Sequence, residues 1–124
     1  MMKLLLVLLL VVPRPQDLKT SHLRQGSGGQ AGPRVINVSA ERFAFTPSEI
    51  TVEKGTVIEF HLTSEDTDHG FRIIDTDVSV RIPKRRRGET VVKYTADTAG
   101  RFIIECTRPC GAGHTAMRAT LVVK

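Results

Sequence analysis

The sequence predicts an all-β sandwich, and three observations support this fold class. From residue 34 onward, short segments alternate apolar and polar residues, which is the pattern of strands with one buried face. Turn residues separate these segments every eight to twelve positions, a spacing typical of sandwiches and barrels. No segment repeats its apolar residues with the period of a helix. We therefore expect seven to eight short strands in two packed sheets.

The first 33 residues are not expected to belong to the sandwich. Residues 1–12 place Lys3 before nine consecutive apolar residues, as in the charged and apolar regions of a secretory signal. That run is far shorter than the roughly 20 residues that a membrane-spanning helix needs. Residues 13–33 are rich in Pro, Gln, Gly and Ser, the composition of a flexible linker. We therefore expect an exported chain with no membrane span, in the periplasm or another extracytoplasmic space, whose folded domain covers 34–124.

The candidate strands follow one another along this domain. The clearest is 56–63, in which Ile58, Phe60 and Leu62 face one side. His61 faces the opposite, more polar side, and is expected to be a surface histidine and not a ligand. The remaining candidate strands are 35–39, 50–52, 71–74, 78–82, 89–94, 101–105 and 119–124.

The charge of the domain excludes one broad class of partner. The whole chain has a formal net charge of +5, but from residue 34 onward 14 Lys and Arg stand against 12 Asp and Glu, which leaves +2. So small an excess, without a nucleic-acid-binding motif, predicts no nucleic-acid partner. The most basic stretch, 84–87, is expected to be a solvated turn because its four cations repel one another. Docking of an acidic partner is the alternative.

The segment 106–117 contains the only two cysteines of the chain, together with a histidine and a methionine. Their spacing is Cys106-x3-Cys110-x3-His114-x2-Met117. Thiolate, thioether and imidazole ligands in one site select copper, because sulfur stabilises Cu(I) and imidazole also suits Cu(II). A site that holds both oxidation states is suited to electron transfer. The sequence therefore predicts a metal site in this loop.

The residues between these candidates favour a compact loop. Gly111 and Gly113 allow the backbone to approach a metal closely. Pro109 disfavours a helical conformation at Arg108, which can turn the Arg108 carbonyl towards the site.

The loop resembles the binuclear CuA loop of subunit II of haem-copper oxidases, a spacing that also occurs in the CuA domain of nitrous oxide reductase. The resemblance covers roughly residues 34–124. It includes the run Asp-His-Gly-Phe at 68–71, which contains His69, and the approach to the first cysteine at 94–102. It implies a cupredoxin-like Greek-key sandwich in which the ligand loop joins the last two strands. His69 would come from another loop at the same end.

The resemblance also implies a set of ligands and a role. In that family, two cysteine thiolates bridge two copper ions, each copper has one histidine, and a methionine sulfur and a backbone carbonyl are weak outer ligands. The role implied is that of an electron carrier and not an enzyme, with a cytochrome, an oxidase or a reductase as its redox partner. On this sequence the implied ligands are Cys106, Cys110, His69, His114, Met117 and the carbonyl of Arg108.

Several alternatives remain open at the level of sequence. A mononuclear type 1 copper site would use His69, Cys110, His114 and Met117 and leave Cys106 spare. A copper carrier or sensor would use the same ligands to deliver the metal. A structural zinc site of two Cys and two His suits the tetrahedral preference of zinc, and a Cys106–Cys110 disulfide is the simplest outcome in an oxidising compartment.

Overall fold

The computed structural model describes residues 32–124. The predicted signal-like segment 1–12 and nearly all of the predicted linker 13–33 lie outside the described residues. Within these residues, one 3-10 turn spans His114–Ala116. The strands are β1 (Arg34–Glu41), β2 (Ala44–Thr46), β3 (Glu49–Val52), β4 (Val57–Ser64), β5 (His69–Ile73), β6 (Ser79–Ile82), β7 (Thr90–Thr95), β8 (Gly100–Glu105) and β9 (Arg118–Val123).

The strands form two sheets. One sheet has the order β2-β1-β4-β7 and the other β3-β9-β8-β5-β6. The pairs β1–β4 and β3–β9 are parallel, and all other neighbouring strands are antiparallel. The predicted all-β sandwich is therefore confirmed. Residues 32–124 contain nine strands instead of the expected seven or eight, because the three-residue strand β2 adds a short edge to the first sheet.

The core lies between the sheets and is built from the apolar face of each strand. Ile58, Phe60 and Leu62 of β4 are all fully buried, as the alternation predicts. With no tryptophan in the chain, phenylalanines fill the centre. The ring of Phe71 packs edge-on against Phe45, at 5.8 Å between centroids, and at a tilt against Phe60, at 5.2 Å. Aromatic pairs at these distances add to the stability supplied by burial.

The directions of the strands place several loops together at one end of the sandwich. We call this end the site end. Strands β1, β4 and β8 finish there, and β5 and β9 begin there. The β1–β2 turn, the β4–β5 loop, the β6–β7 loop and the long β8–β9 loop consequently lie at this end. In residues 32–124, no helix is long and apolar enough to cross a membrane.

Candidate metal centre

Two cysteine sulfurs lie at the centre of the site end. Cys106 directly follows β8 and Cys110 lies in the β8–β9 loop, and both are buried with free thiols. Their Sγ atoms are 3.9 Å apart, nearly twice the roughly 2.05 Å of a disulfide bond. The backbone N–H of Cys106 donates to the carbonyl of Met117 at 3.2 Å, which closes the loop at its base. The structure thus holds two separate thiols side by side and contains no Cys106–Cys110 disulfide.

One imidazole approaches each sulfur. His69 is the first residue of β5 and is fully buried, and its Nδ1 lies 3.9 Å from Sγ of Cys106. His114 begins the 3-10 turn and is half-buried, and its Nδ1 lies 3.8 Å from Sγ of Cys110. The two histidines therefore flank the sulfur pair.

The two remaining predicted donors complete the cluster. Met117 is fully buried, and its Sδ lies 3.9 Å from Sγ of Cys110. The carbonyl oxygen of Arg108 lies 3.3 Å from Sγ of Cys106. All six donors that the sequence suggested are thus brought together, from two segments more than thirty residues apart.

The spacing of these donors fits a bound metal. Sulfur ligands bind at about 2.3 Å and imidazole nitrogens at about 2.0 Å, so that the donors around one tetrahedral ion lie about 3.5 to 3.8 Å apart. The sulfur–sulfur and sulfur–nitrogen distances of 3.8 to 3.9 Å are close to this range. Thiolate, imidazole and thioether together are the ligands that copper prefers. The donor set and its spacing therefore fit copper.

Asp66 orients the buried histidine. Its Oδ1 lies 2.6 Å from Nε2 of His69, so the imidazole N–H donates to the carboxylate and leaves Nδ1 free to bind a metal. Partial burial opposes ionisation of Asp66, but hydrogen bonds from the Arg42 and Thr67 N–H groups and from His69 lower the pKa of its carboxyl below the usual value. The carboxylate therefore stays charged and keeps the imidazole in one orientation.

Arg42, in the β1–β2 turn, connects the two ligand-bearing segments. Its backbone N–H donates to Oδ2 of Asp66 at 2.8 Å, and its side-chain Nε donates to the carbonyl of Cys110 at 2.6 Å. One residue thus supports both the carboxylate behind His69 and the backbone of the cysteine loop. Neither Arg42 nor Asp66 was predicted from the sequence. An acid three positions before a candidate histidine is a usable signal for Asp66, whereas nothing local marks Arg42.

Gly70 permits the closest approach between β5 and the cysteine loop. Its N–H donates to Sγ of Cys106 at 3.4 Å. A Cβ atom at this position would lie 1.9 Å from Oγ1 and 2.7 Å from the backbone nitrogen of Thr107. Only glycine fits between the two segments without displacing backbone. Gly70 therefore lets the strand that bears His69 lie directly against Cys106.

Phe43 covers the other side of the loop. A Cβ atom added at Gly113 would lie 2.5 Å from its ring, and one added at Gly111 would lie 2.9 Å from it. Phe43 is itself 38% exposed. The glycines therefore give the loop a flat surface on which an aromatic ring rests at the molecular surface.

Burial changes the acidity of the Cys110 thiol. Removal from water, and then the charge of the neighbouring Cys106, raise the pKa of the Cys110 thiol to about 11. The metal-free thiol is therefore protonated at neutral pH. Because a metal binds the thiolate, metal uptake releases this proton and becomes tighter as the pH rises.

His61 stands apart from this cluster. It lies on β4, with Nε2 at 2.8 Å from Glu59 and Nδ1 at 3.4 Å from Glu89. Its imidazole is partly exposed and faces away from the core, as the alternation of the strand predicts.

The chain is similar to known proteins in sequence and in structure. It is 38% identical over 98 residues to a cytochrome c oxidase subunit 2 from Thermus thermophilus, across 77% of this chain and 70% of that protein. The match to a second protein of the same name, from a particular strain of that organism, has the same identity and covers 56% of it. The chain matches no protein-family model.

Solved structures with low sequence identity share the fold. The periplasmic domain of subunit II of cytochrome oxidase from Bradyrhizobium japonicum superposes with a TM-score of 0.66, at 18% identity, over 73% of this chain and 83% of that one. Auracyanin A, a blue copper protein from Chloroflexus aurantiacus, gives a TM-score of 0.60 at 19% identity, over 75% and 100% of the two chains. The cupredoxin-like sandwich expected from the resemblance is confirmed. With 38% identity to a relative of which it covers 70%, the chain belongs to the cytochrome c oxidase subunit 2 family.

Proposed function

We propose that residues 34–124 form a copper-binding electron-transfer domain with a binuclear CuA-like centre. The family and the donor set both support this function. One observation carries the nuclearity: two buried sulfurs lie 3.9 Å apart, and each has an imidazole nitrogen at nearly the same distance. Two thiolates so placed can be shared between two metal ions, each completed by one histidine.

The side chains divide the work of holding the centre. Cys106 and Cys110 would bridge, and His69 and His114 would each complete one copper. Met117 and the carbonyl of Arg108 would act as weak outer ligands that tune the redox potential. When bound, copper supplies one-electron chemistry between Cu(I) and Cu(II).

The protein keeps these donors in one arrangement. Asp66 fixes the imidazole of His69, and Arg42 ties Asp66 to the backbone of Cys110. Burial of Cys106, Cys110 and Met117 excludes water from the sulfur ligands. A site that changes little between oxidation states exchanges electrons readily, because little reorganisation accompanies the transfer. Sharing the charge over two ions would reduce that change further.

The contacts of Cys106 favour this centre over a mononuclear type 1 site. In the mononuclear alternative Cys106 is spare and His69 binds the same copper as Cys110. In the structure, Cys106 is the sulfur that contacts His69, the Arg108 carbonyl and the N–H of Gly70. A residue with no role in the site would not require this arrangement.

The setting of the domain is part of the proposal. The signal-like segment 1–12 and the periplasmic domain among the structural neighbours support an extracytoplasmic location. The domain would receive electrons from a redox protein and pass them to the catalytic part of an oxidase or reductase, with no substrate chemistry of its own. The chain spans 70% and 56% of its two relatives, and its place in a larger complex belongs to this proposal.

Copper stoichiometry and the EPR spectrum test the nuclearity. The wild-type chain should bind two coppers and show hyperfine coupling to both nuclei. Cys106→Ser should leave a single-copper or copper-poor site of different colour. His61→Gln, which alters a histidine remote from the cluster, is the matched control and should bind two coppers like wild type. One copper in wild type, with Cys106→Ser spectroscopically unchanged, would establish the mononuclear alternative.

A further inference from the structure

A basic loop is anchored beside the candidate metal centre. We use this name for Lys84–Arg87, in the β6–β7 loop at the site end. The N–H of Lys84 donates to Oδ1 of Asp68 at 2.7 Å, and the N–H of Arg85 donates to the carbonyl of Asp66 at 3.0 Å. Asp66 is the residue whose carboxylate orients His69. The basic loop is thus fixed to the segment that supports one of the proposed copper ligands.

The charges of the basic loop are not neutralised by the fold. All four side chains are exposed, and within residues 32–124 none of them forms an ion pair. Neighbouring arginines behave differently: Arg81 pairs with Asp68 and Arg72 pairs with Glu105. The domain carries a net charge of only +2, yet four cations are concentrated at this one place.

The backbone of the basic loop retains an arginine at an unfavourable position. Arg86 has a φ of 62°, a left-handed conformation that glycine and asparagine adopt more readily than other residues. A loop that served only to reverse the chain would be more stable with glycine there. Arg86 thus presents its exposed charge from a left-handed position of the loop, at a conformational cost.

Arg108 extends the positive surface onto the cysteine loop. It is exposed, and its carbonyl oxygen lies 3.3 Å from Sγ of Cys106. The basic loop is fixed to Asp66 and Asp68, next to His69. Both groups of positive charge therefore lie beside proposed copper ligands.

We propose that the basic loop and Arg108 form the docking surface for an acidic redox protein that donates electrons to this domain. The inference rests on the proposed function, because it concerns the donor to the same copper centre. In the step, the donor is oxidised by one electron and the copper centre is reduced by one. Concentrated positive charge beside the site speeds the encounter with an anionic protein and orients it. A protein is favoured over a lipid surface because the charge adjoins the atoms that would exchange the electron.

Stopped-flow reduction of the full chain, loaded with copper, tests the surface. The probes are a reduced acidic ferredoxin, a reduced basic cytochrome c and a small neutral reductant. The loop variant is Arg85→Gln/Arg86→Asn/Arg87→Gln, in which asparagine suits the left-handed position. The control is Lys54→Gln/Lys93→Gln/Lys124→Gln, which removes the same charge from residues towards the opposite end.

The ferredoxin rate should be high at low salt and fall about tenfold as salt screens the attraction. In the loop variant, the rate of reduction by ferredoxin at low salt should be about five- to tenfold lower, and most of its salt dependence should disappear. The control variant should change by less than about twofold, and the neutral reductant should be unaffected by either variant. Cytochrome c should show no such acceleration at low salt.

Other outcomes overturn the inference. A ferredoxin rate indifferent to salt, or equal losses in the loop and control variants, would exclude a local docking surface and leave the copper function intact. Binding of the loop to anionic phospholipid vesicles, with an unchanged ferredoxin rate, would assign it to a membrane. If the loop variant also slows the neutral reductant, the single variant Arg86→Asn replaces it in the test, because it removes one charge and suits the left-handed backbone. An unchanged ferredoxin rate in Arg86→Asn would then refute the docking surface. A chain that takes up no copper refutes the proposed function and this inference together.

Discussion

The two histidines of the candidate centre are held in different ways. His69 is the first residue of a strand, fully buried, with its second ring nitrogen bound to Asp66. His114 lies on a single 3-10 turn, is half-buried, and has no hydrogen bond to Nε2 from residues 32–124. The fold thus fixes one proposed ligand before any metal arrives and leaves the other on a surface loop. His69 therefore lies on a buried side of the candidate centre, and His114 lies on an exposed side that faces solvent.

The largest expected effect comes from removing each imidazole in turn. His69→Gly and His114→Gly should both lose the wild-type optical spectrum, because each removes a proposed strong ligand of the copper centre. Added free imidazole should restore the spectrum of His114→Gly, whose vacated position opens to solvent, but not that of His69→Gly, whose cavity is sealed. Copper content and absorption spectra, with His61→Gln as the control, measure the difference. Equal rescue of both variants would contradict the contrast between the two sides.

Substitution of Gly70, next to the buried His69, should cost more stability than substitution of Gly113, next to the more exposed His114. In Gly70→Ala the new methyl group meets the backbone of Thr107, which cannot yield, and we expect a loss of about 1–3 kcal/mol in the free energy of unfolding. In Gly113→Ala the methyl group meets the ring of Phe43, which is partly exposed and can turn aside, so the loss should stay below about 1 kcal/mol. Urea unfolding of the copper-free chains measures both. A larger loss of unfolding free energy for Gly113→Ala than for Gly70→Ala would show that the surroundings of His114 are the more rigid ones.

Substitution of Met117 tests whether this residue, which lies on the same side as His114, tunes the redox potential of the centre. Its sulfur lies next to Cys110, and a weak outer ligand changes the redox potential more than the affinity for metal. Met117→Leu preserves the buried apolar volume, and should keep the copper stoichiometry while shifting the midpoint potential measured by redox titration. Outright loss of copper would make Met117 a principal ligand.

The smallest expected effect concerns His61, a histidine that lies apart from the candidate metal centre. The hydrogen bond to Glu59 raises the pKa of His61 above its ordinary value; removal from water opposes this shift, and the charges of Glu89 and Glu59 assist it. A raised pKa stabilises the fold fully below about pH 6.5, and this contribution is lost as the pH rises through the folded-state pKa. NMR titration should show the raised value in wild type and a lower one in Glu59→Gln. An unchanged value in that variant would remove Glu59 as the cause.

The sequence predicted the donors better than their supports. Cys106, Cys110, His114 and Met117 lie within twelve residues, so their spacing alone indicates a common site. His69 lies 37 positions before Cys106 and entered through the resemblance to a known family. Alternation predicted the strands well because β4 and its neighbours have one apolar face, whereas β2 escaped because three residues are too few to show a period.

The supports depend on contacts that no local pattern contains. Arg42 reaches Asp66 and Cys110 only because β1 ends beside the β4–β5 loop, 24 residues further along the chain. Gly70 reads in the sequence as an ordinary loop glycine, and its requirement appears only when Thr107 lies against it. Such constraints arise from the packing of the sheets and are visible only in three dimensions.

The parallel pairing of β3 with β9 bears on when the centre can be assembled. Residues Glu49–Val52 pair with Thr120–Val123, and β9 separates β3 from β8 in the sheet. That sheet cannot close until β9 has been synthesised, and pairings between such distant residues form slowly. While the chain is still unfolded, nothing holds the two thiols at their native separation, and in an oxidising compartment they are free to oxidise. We therefore expect that a reductant that keeps the thiols reduced until the sheet has closed raises the yield of the copper-loaded protein.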